Sequence, residues 1–345
     1  MAQQKFFIVG CPRSGTTMLQ QALNRHSQVT IPPETAFFSF LGFSRRVQKQ
    51  HLQRLNEDLE IGLALPEHRI SQPDEARTLF EELARQYIAS RGKASVTHFG
   101  EKTPEHLSRL DRISAVYPEA KILLLYRDGR DVALSLRRLP WTSRDLYVNF
   151  ALWLHCYRLQ QRAQANPTLP ILPVCYEDLV QNPAGQLHRV LEFLGLPFEG
   201  QVVDGAGNFA GIPQWEYDWK ARATEKINSS RLGLWRKELT GEQLGILERW
   251  GGWALQGLNY ELLTDGKYPL PWFFHLRVAC KSLWWLASRP RYALAKSLWL
   301  KQQEEIPDRS QARSASPAEH PSGNNATDEV PASAVDVPLG SRQQP

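Results

Sequence analysis

The chain has 345 residues, and 42% of them are hydrophobic, which is enough for one large α/β domain or two small ones. Its four cysteines show no paired spacing, so the sequence favours neither a disulfide-stapled fold nor a zinc site, and it predicts a reducing, cytoplasmic location. Because residues 302–345 contain three basic and seven acidic residues and the whole chain carries +5, residues 1–301 carry +9. This excess suits an anionic ligand, and no nucleic-acid-binding motif accompanies the charge.

The first predicted element is a buried strand, residues 6–9, followed by a glycine-containing turn, residues 11–17, and a helix, residues 18–24. Backbone N–H groups in such a turn and at a helix N-terminus attract an anion. The turn adds hydroxyl and guanidinium donors, so we expect it to bind a phosphate-like group through Arg13, Ser14, Gly15, Thr16 and Thr17. Because no lysine precedes the hydroxyl pair, it is not a Walker A loop; an ordinary strand–turn–helix corner is the alternative.

A second candidate anion site follows residues 121–126, whose near-continuous apolar character is typical of a buried parallel strand. Arg127, Arg130 and Ser135 come directly after this strand and suit a second phosphate. Asp131 is expected to cap the helix that begins there. A surface cluster of Arg–Asp ion pairs is the alternative interpretation.

Between these segments, apolar residues recur at helical spacing, as in residues 76–87 and 187–194. Strands separated by helices predict an α/β fold with a central parallel β-sheet flanked by helices. In such folds the ligand binds at the carboxyl ends of the strands.

The C-terminal part of the chain has a different composition. Residues 268–301 interleave tryptophans and phenylalanines with basic residues, a pattern that suits packing on the domain or a partner, or contact with a membrane surface. We favour packing, and charges interrupt every apolar run, so this segment is not expected to span a membrane. Residues 302–345 contain almost no large apolar side chain, which predicts a disordered tail.

The two anion-binding segments, with a third at residues 174–183, resemble the sulfotransferases that use 3′-phosphoadenosine 5′-phosphosulfate (PAPS) as donor. The resemblance runs from Lys5 to Leu262 and implies a P-loop-like phosphosulfate-binding loop at residues 11–17. It also implies that Arg127 and Ser135 hold the 3′-phosphate and that Tyr176 lies against the adenine. No metal is required, because the donor leaves as the stable nucleotide PAP.

Residues 226–236 resemble the late segment that folds over PAPS in this family. That resemblance adds Ser230, Trp235 and Arg236 as candidate donor-binding residues. A tryptophan beside an arginine is also typical of a packed helix start, which is the alternative interpretation.

The motif spacing is most similar to the tyrosylprotein-sulfotransferase branch and related bacterial enzymes. There a glutamate in the segment matching residues 26–35 is the general base, a role that falls on Glu34, 21 residues after Arg13. A lysine in the segment matching residues 100–104 contacts the transferring sulfonate, a role that falls on Lys102. A carboxylate can take the acceptor proton, and fixed cations can stabilise the developing negative charge. A solvated loop carboxylate is the alternative for Glu34, and the rival bases are His26, His98 and His106.

We therefore expect a sulfotransferase that moves a sulfonate from PAPS to an acceptor hydroxyl by in-line displacement; the acceptor (peptide tyrosine, carbohydrate or other alcohol) stays open. The expected parts are a sulfotransferase domain at residues 1–265, an aromatic and basic helical segment at 266–301, and the tail at 302–345. A P-loop kinase-like phosphotransferase would need ATP and Mg²⁺, and the missing Walker lysine argues against it. A non-catalytic nucleotide-binding or membrane-docking protein would need neither Glu34 nor Lys102. A homodimer is left open.

Overall fold

The computed structural model of the protein describes residues 3–93, 95–139, 142–166, 169–204, 229, 231–285 and 287. Its strands are β1 (Gln4–Gly10), β2 (Val29–Thr30), β3 (His98–Lys102), β4 (Lys121–Tyr126) and β5 (Ile171–Cys175). They form one sheet in the order β2-β3-β1-β4-β5, and every neighbouring pair is parallel. The central parallel β-sheet expected from the sequence is confirmed.

The helices lie on both faces of this sheet. In chain order they are α1 (Thr16–Asn24), α2 (Phe37–Phe40), α3 (Arg45–Leu59), α4 (Pro73–Ser90), α5 (Leu110–Val116), α6 (Gly129–Arg137), α7 (Leu146–Gln164), α8 (Tyr176–Gln181), α9 (Pro183–Leu194), α10 (Gln201–Asp204), α11 (Trp235–Glu238), α12 (Gly241–Gln256) and α13 (residues 274–285). A 3₁₀ helix, Pro104–Arg109, follows β3. The apolar spacing at residues 76–87 and 187–194 lies within α4 and α9, as expected.

The central strand β1 is buried on both faces, which is why its sequence is continuously apolar rather than alternating. Phe7 and Val9 belong to a large core cluster that includes side chains of α3, α4 and α7. Phe6 and Ile8 point the opposite way, into a second cluster with side chains of α1 and α9. The sheet is thus held rigidly between two helical layers, and its carboxyl edge can present polar residues in fixed positions.

The structure corrects one expectation about the second segment. The helix after β4 begins at Gly129, and its N-cap is Asp128, whose carboxylate accepts a hydrogen bond from the Arg130 amide at 2.9 Å. Asp131 was expected to be this cap, but it lies inside the first turn, where its carboxylate accepts from the amides of a different segment, Gly233 and Trp235. The cap assignment therefore fails because the helix starts earlier than the motif suggested.

The C-terminal helix α13 packs on the domain through Phe274 and Val278, which contact Tyr147 and Trp250. Of the segment 268–301, the structure describes residues 268–285 and 287, and the tail at 302–345 lies outside the described residues. Within the part of the chain that the structure describes, no helix is long and apolar enough to cross a membrane.

Candidate active site

The loop between β1 and α1 turns its backbone inward. The Ser14 amide donates to the Cys11 carbonyl at 3.1 Å, and both Arg13 and Gly15 adopt left-handed backbone conformations, with φ of 76° and 93°. Alternation of this kind directs successive N–H groups toward one point and forms an anion-binding concavity. The buried Ser14 hydroxyl has no hydrogen-bond partner, and a buried polar atom of this kind suits a ligand. The predicted loop residues, including buried Thr16 and half-buried Thr17, therefore lie together at the carboxyl end of β1.

The two predicted anion-binding segments meet through a side-chain contact. Nε of Arg13 donates to the Ser135 hydroxyl on α6 at 3.1 Å. Arg127, at the end of β4, donates to the Arg13 carbonyl at 3.3 Å and to the Arg231 carbonyl at 2.6 Å. Nε of Arg127 is buried without a hydrogen-bond partner. These contacts join residues that are 104 to 122 positions apart in the chain and bring them to one cationic edge of the sheet.

Tyr176 lies between these two segments. The Arg127 guanidinium is 4.1 Å from the centre of its ring, within cation–π range. On the loop side, a Cβ added at Gly15 would lie 2.5 Å from the Tyr176 ring, so this position requires glycine. The tyrosine therefore holds the loop and Arg127 in register, and its stacking on adenine stays a prediction.

Lys102 and Glu34 form an ion pair next to the loop. Nζ of Lys102 donates to Oε1 of Glu34 and lies 3.4 Å from the Thr17 hydroxyl. The Lys102 side chain is 1% exposed, whereas that of Glu34 is 31% exposed. A buried lysine persists only with such partners, because an isolated buried charge costs several kcal/mol. The pair thus presents its carboxylate to solvent and keeps its ammonium beneath, beside the loop hydroxyls.

A buried network that the sequence reasoning missed fixes the segment carrying Glu34. The carboxylate of Glu101 accepts from the Thr35 hydroxyl at 2.8 Å, from the Thr103 hydroxyl at 2.5 Å and from His106 at 2.8 Å. Burial alone would raise the pKa of Glu101, but His106 and the two hydroxyls hold it below its usual value. The sequence signal that could have revealed this network is the pair Glu101–Lys102 at the end of the short strand β3, where charged side chains need buried partners.

The three rival histidines take structural positions. His106 is buried against Glu101, and His26 is buried with its ring 2.9 Å from the Pro197 carbonyl. His98 is also buried, its ring nitrogens lie near the Thr97 hydroxyl and the Leu194 carbonyl, and burial lowers its pKa. Glu34 is therefore the group among these four that combines a solvent-facing side chain with a position beside the loop.

The second arginine of the motif does not face this edge. Arg130 is 1% exposed and pairs with Asp128 at 2.8 Å and with Glu248 of α12 at 2.6 Å. Its guanidinium also lies 3.6 Å from the centre of the Trp235 ring. A buried pair of this kind satisfies its own charge, so Arg130 is a structural residue rather than the phosphate ligand that its position in the motif suggested.

The late candidate segment lies over the second motif through Asp131, whose carboxylate accepts from the Gly233 and Trp235 amides at 2.9 and 3.0 Å. Burial raises the pKa of Asp131, and the nearby Arg127 opposes that rise. The Trp235 side chain is buried beneath Arg130, while Arg236 is exposed and pairs with Glu261. Ser230 lies outside the described residues.

A second residue missed from the sequence is Glu177, which follows Tyr176. Its carboxylate accepts from the Asp128 amide at 3.1 Å and from the Tyr260 hydroxyl at 2.8 Å. Burial raises the pKa of Glu177, although these donors oppose the rise. The contact ties the end of β5 to the end of β4 and so fixes the spacing between Tyr176 and Arg127.

These residues fit a phosphorylated, polyanionic ligand. The loop supplies convergent amides and an unpartnered buried hydroxyl, Arg127 supplies an unpartnered buried N–H, and Arg13 and Lys102 supply positive charge. Within the described ranges, no group of three or more His, Cys, Asp or Glu side chains could hold a metal ion.

The sheet and its cationic edge define an α/β protein in which the carboxyl ends of parallel strands form a site suited to a phosphorylated ligand. A sequence model of the sulfotransferase family matches residues 5–200, and the chain belongs to that family. This confirms the resemblance seen in the motifs.

The chain is also similar to named relatives and to a solved structure. The chain is 28% identical over 284 residues to nodulation protein NoeE of Sinorhizobium fredii, covering 74% of this chain and 65% of the relative. It is 26% identical over 259 residues to protein-tyrosine sulfotransferase 2 of Gallus gallus, covering 69% and 64%. The chain thus spans slightly less than two thirds of either relative. The sulfotransferase domain of the Synechococcus PCC 7002 olefin synthase superposes with a TM-score of 0.54 at 23% identity, covering 75% of this chain and 96% of that domain, and so shares the fold.

Proposed function

We propose that the protein transfers a sulfonate group from PAPS to a hydroxyl-bearing acceptor. The observation that carries this proposal is the Lys102–Glu34 ion pair, which lies beside a hydroxyl-rich loop at the carboxyl edge of the sheet. One cation and one carboxylate at a common point suit a reaction in which one oxygen gains charge while another loses a proton. Membership of the sulfotransferase family supports the same reaction.

The donor-binding roles follow from charge and position. The amides and hydroxyls of residues 13–17 hold the phosphosulfate end, and Arg13 adds a guanidinium that Ser135 orients. Arg127, with Ser135, holds the 3′-phosphate, and Tyr176 fixes Arg127 from its far side and contacts the nucleotide base. Trp235 acts here by supporting Arg130, while Ser230 and Arg236 are proposed to contact the donor from the late segment.

The catalytic roles are divided between the two members of the ion pair. PAPS, when bound, supplies the sulfonate and a stable nucleotide leaving group. Lys102 stabilises negative charge on oxygens beside the Thr17 hydroxyl. Glu34 accepts the proton of the acceptor hydroxyl at its solvent-facing carboxylate. The Glu101 network keeps the segment from Thr35 to Phe37 fixed, so that Glu34 is held in place without itself being buried.

Two rival functions make different demands on the site. A kinase-like phosphotransferase would need Mg²⁺ ligands and a lysine in the loop itself, and the loop offers Arg13 instead. A non-catalytic nucleotide-binding protein would have no use for a lysine buried against a solvent-facing carboxylate, an arrangement that costs desolvation energy. The site therefore favours sulfonate transfer.

Incubation of the protein with PAPS and three acceptor classes tests this proposal: a tyrosine peptide, an oligosaccharide and a simple phenol. The similarity to a protein-tyrosine sulfotransferase is the reason to include the peptide. We expect acceptor-dependent release of PAP without added Mg²⁺. Transfer of the γ-phosphoryl group from ATP–Mg²⁺ would support the kinase instead. If the protein binds PAP but converts no PAPS to PAP with any of the acceptors, the non-catalytic function would be supported.

We assign the catalytic domain to residues 1–265, because α12 still contributes Glu248 to the buried pair beneath the site. A cytoplasmic location and a homodimer stay predictions.

A further inference from the structure

Helix α13 is attached to the catalytic domain by one of its two faces. Phe274 packs edge-on against Tyr147 and Trp250, with ring centres 5.5 and 5.2 Å away. Lys281, two turns further along, pairs with Asp145 at the start of α7. The inner face of α13 is therefore fixed, and the direction of its outer face is fixed with it.

The outer face is apolar and exposed. The large exposed side chains of this face and of the turn just before the helix, residues 272–284, are Trp272 (90% exposed), Phe273 (43%), Leu276 (63%), Leu283 (66%) and Trp284 (68%). From position 276 onward they follow the spacing of one helical stripe, which Cys280 and Ala287 continue. Of the ten large apolar side chains that are exposed in the described part of the chain, five lie within residues 272–284. Such concentration marks a contact surface rather than scattered exposure.

The composition of the segment that contains this stripe indicates what the stripe contacts. Residues 267–301 contain seven lysines and arginines and no acidic residue, together with four tryptophans. Tryptophan rings prefer the boundary between lipid headgroups and acyl chains, and basic residues beside them are attracted to anionic headgroups. We propose that the outer face of α13 docks on the surface of an anionic lipid bilayer, lying in the interface without crossing it.

Two other occupants fit less well. A two-fold interface uses one patch twice, so a symmetric dimer formed through this face would bring two basic segments of the same sequence together, and their like charges would repel. The chain's own residues 302–345 are acidic but contain no aromatic residue, one isoleucine, one leucine and three valines, too little apolar surface to cover two exposed tryptophans. An anionic bilayer satisfies both the apolar and the basic character of the segment.

Vesicle flotation of the full chain tests the proposal. We expect binding to phosphatidylcholine vesicles that contain about a third phosphatidylserine and little binding to phosphatidylcholine alone. Raising the salt to roughly 0.5 M should weaken the binding, because it shortens the screening length. Brominated lipid should quench part of the tryptophan fluorescence, since the outer-face rings enter the interface. None of these readouts needs turnover, so they stand apart from the proposed activity.

The test variant carries two substitutions on the outer face, Leu276→Glu and Trp284→Glu. The control variant carries two elsewhere on the surface, Val47→Glu and Phe198→Glu. Each variant replaces two exposed apolar side chains with two negative charges. The first pair should lower the partition coefficient by about tenfold or more, and the second should leave it unchanged. Equal binding by both pairs, or no preference of the wild type for anionic vesicles, would overturn the proposal. A wild-type dimer that ignores vesicles and becomes monomeric in Leu276→Glu/Trp284→Glu would assign the face to a second copy instead.

Discussion

The buried ammonium of Lys102 donates a hydrogen bond to Oε1 of Glu34, so the proposed sulfonate-contacting cation and the proposed base are members of one ion pair. Lys102 is anchored at the end of β3, whereas Glu34 comes from the loop between β2 and α2. The pair therefore joins two segments that are 68 residues apart and places a proton acceptor directly beside a fixed positive charge.

Replacing Glu34 with glutamine removes the base and keeps an acceptor for the Lys102 ammonium. We expect Glu34→Gln to bind PAP as the wild type does and to lose about 10²–10⁴-fold in turnover, the usual contribution of a positioned acid or base. Stopped assays of PAP release, with Glu67→Gln as an exposed control, measure this. Unchanged turnover would remove Glu34 from the role.

The glycine at the loop–helix junction offers a test with a matched control. Gly15 has φ of 93° and faces the Tyr176 ring, whereas Gly92 has φ of 63° with no other atom within 4 Å of an added Cβ. Alanine at either position costs about 1–2 kcal/mol of unfolding free energy, because both backbones are left-handed. Only Gly15→Ala must also displace Tyr176, so we expect its PAP affinity to fall about tenfold or more, which is about 1.4 kcal/mol. Equal PAP affinity of the two variants in calorimetry would contradict the assigned contact.

The two arginine–glutamate pairs of the second motif region differ in burial and should differ in strength. Arg130–Glu248 is almost fully buried, whereas Arg138–Glu238 is 44% and 35% exposed. Glu248→Ala leaves a buried guanidinium short of a partner and should lower the unfolding free energy by about 3–5 kcal/mol. Glu238→Ala should lower it by less than about 1 kcal/mol. Urea unfolding measures both, and similar losses in the two variants would argue against a structural role for Arg130.

The contact between α7 and α13 should depend on pH. Burial alone would raise the pKa of Asp145, but Lys281 and the amides of Val148 and Tyr147 hold it below its usual value of about 3.9. A carboxyl with a depressed folded-state pKa stabilises the protein above its unfolded-state pKa, and this contribution is lost as the pH falls through the folded-state value. Asp145→Asn should therefore cost about 1 kcal/mol at neutral pH, the scale of a charged helix cap, and progressively less below about pH 4. A cost that stays constant down to pH 2 would contradict this pairing.

Local pattern was sufficient to predict the parts of the site that are built from contiguous residues. The loop at residues 11–17 and the strand at 121–126 are defined by their own neighbours, and both lie where the sequence predicted. Arg127 and Arg130, by contrast, look equivalent in the sequence. Arg130 turns into the core, where it pairs with Glu248, a partner 118 residues away that the local pattern does not reveal.

Glu101 was missed for a related reason. Its partners Thr35 and His106 belong to different segments, and in the sequence each is an ordinary polar residue. Their meeting depends on how β3 lies against the loop after β2, which no local pattern determines. The sequence left His106 open as a candidate base because it does not show that the ring is buried against Glu101.

Calorimetric titration of the wild type and of Arg13→Ala with PAP, and in parallel with ATP plus Mg²⁺, tests whether this site binds the nucleotide of a sulfonate donor. Arg13 links the two anion-binding segments through Ser135, so its loss should weaken any ligand that spans them. We expect tight PAP binding that Arg13→Ala weakens, with little heat from ATP–Mg²⁺. Binding of ATP–Mg²⁺ without binding of PAP would contradict it.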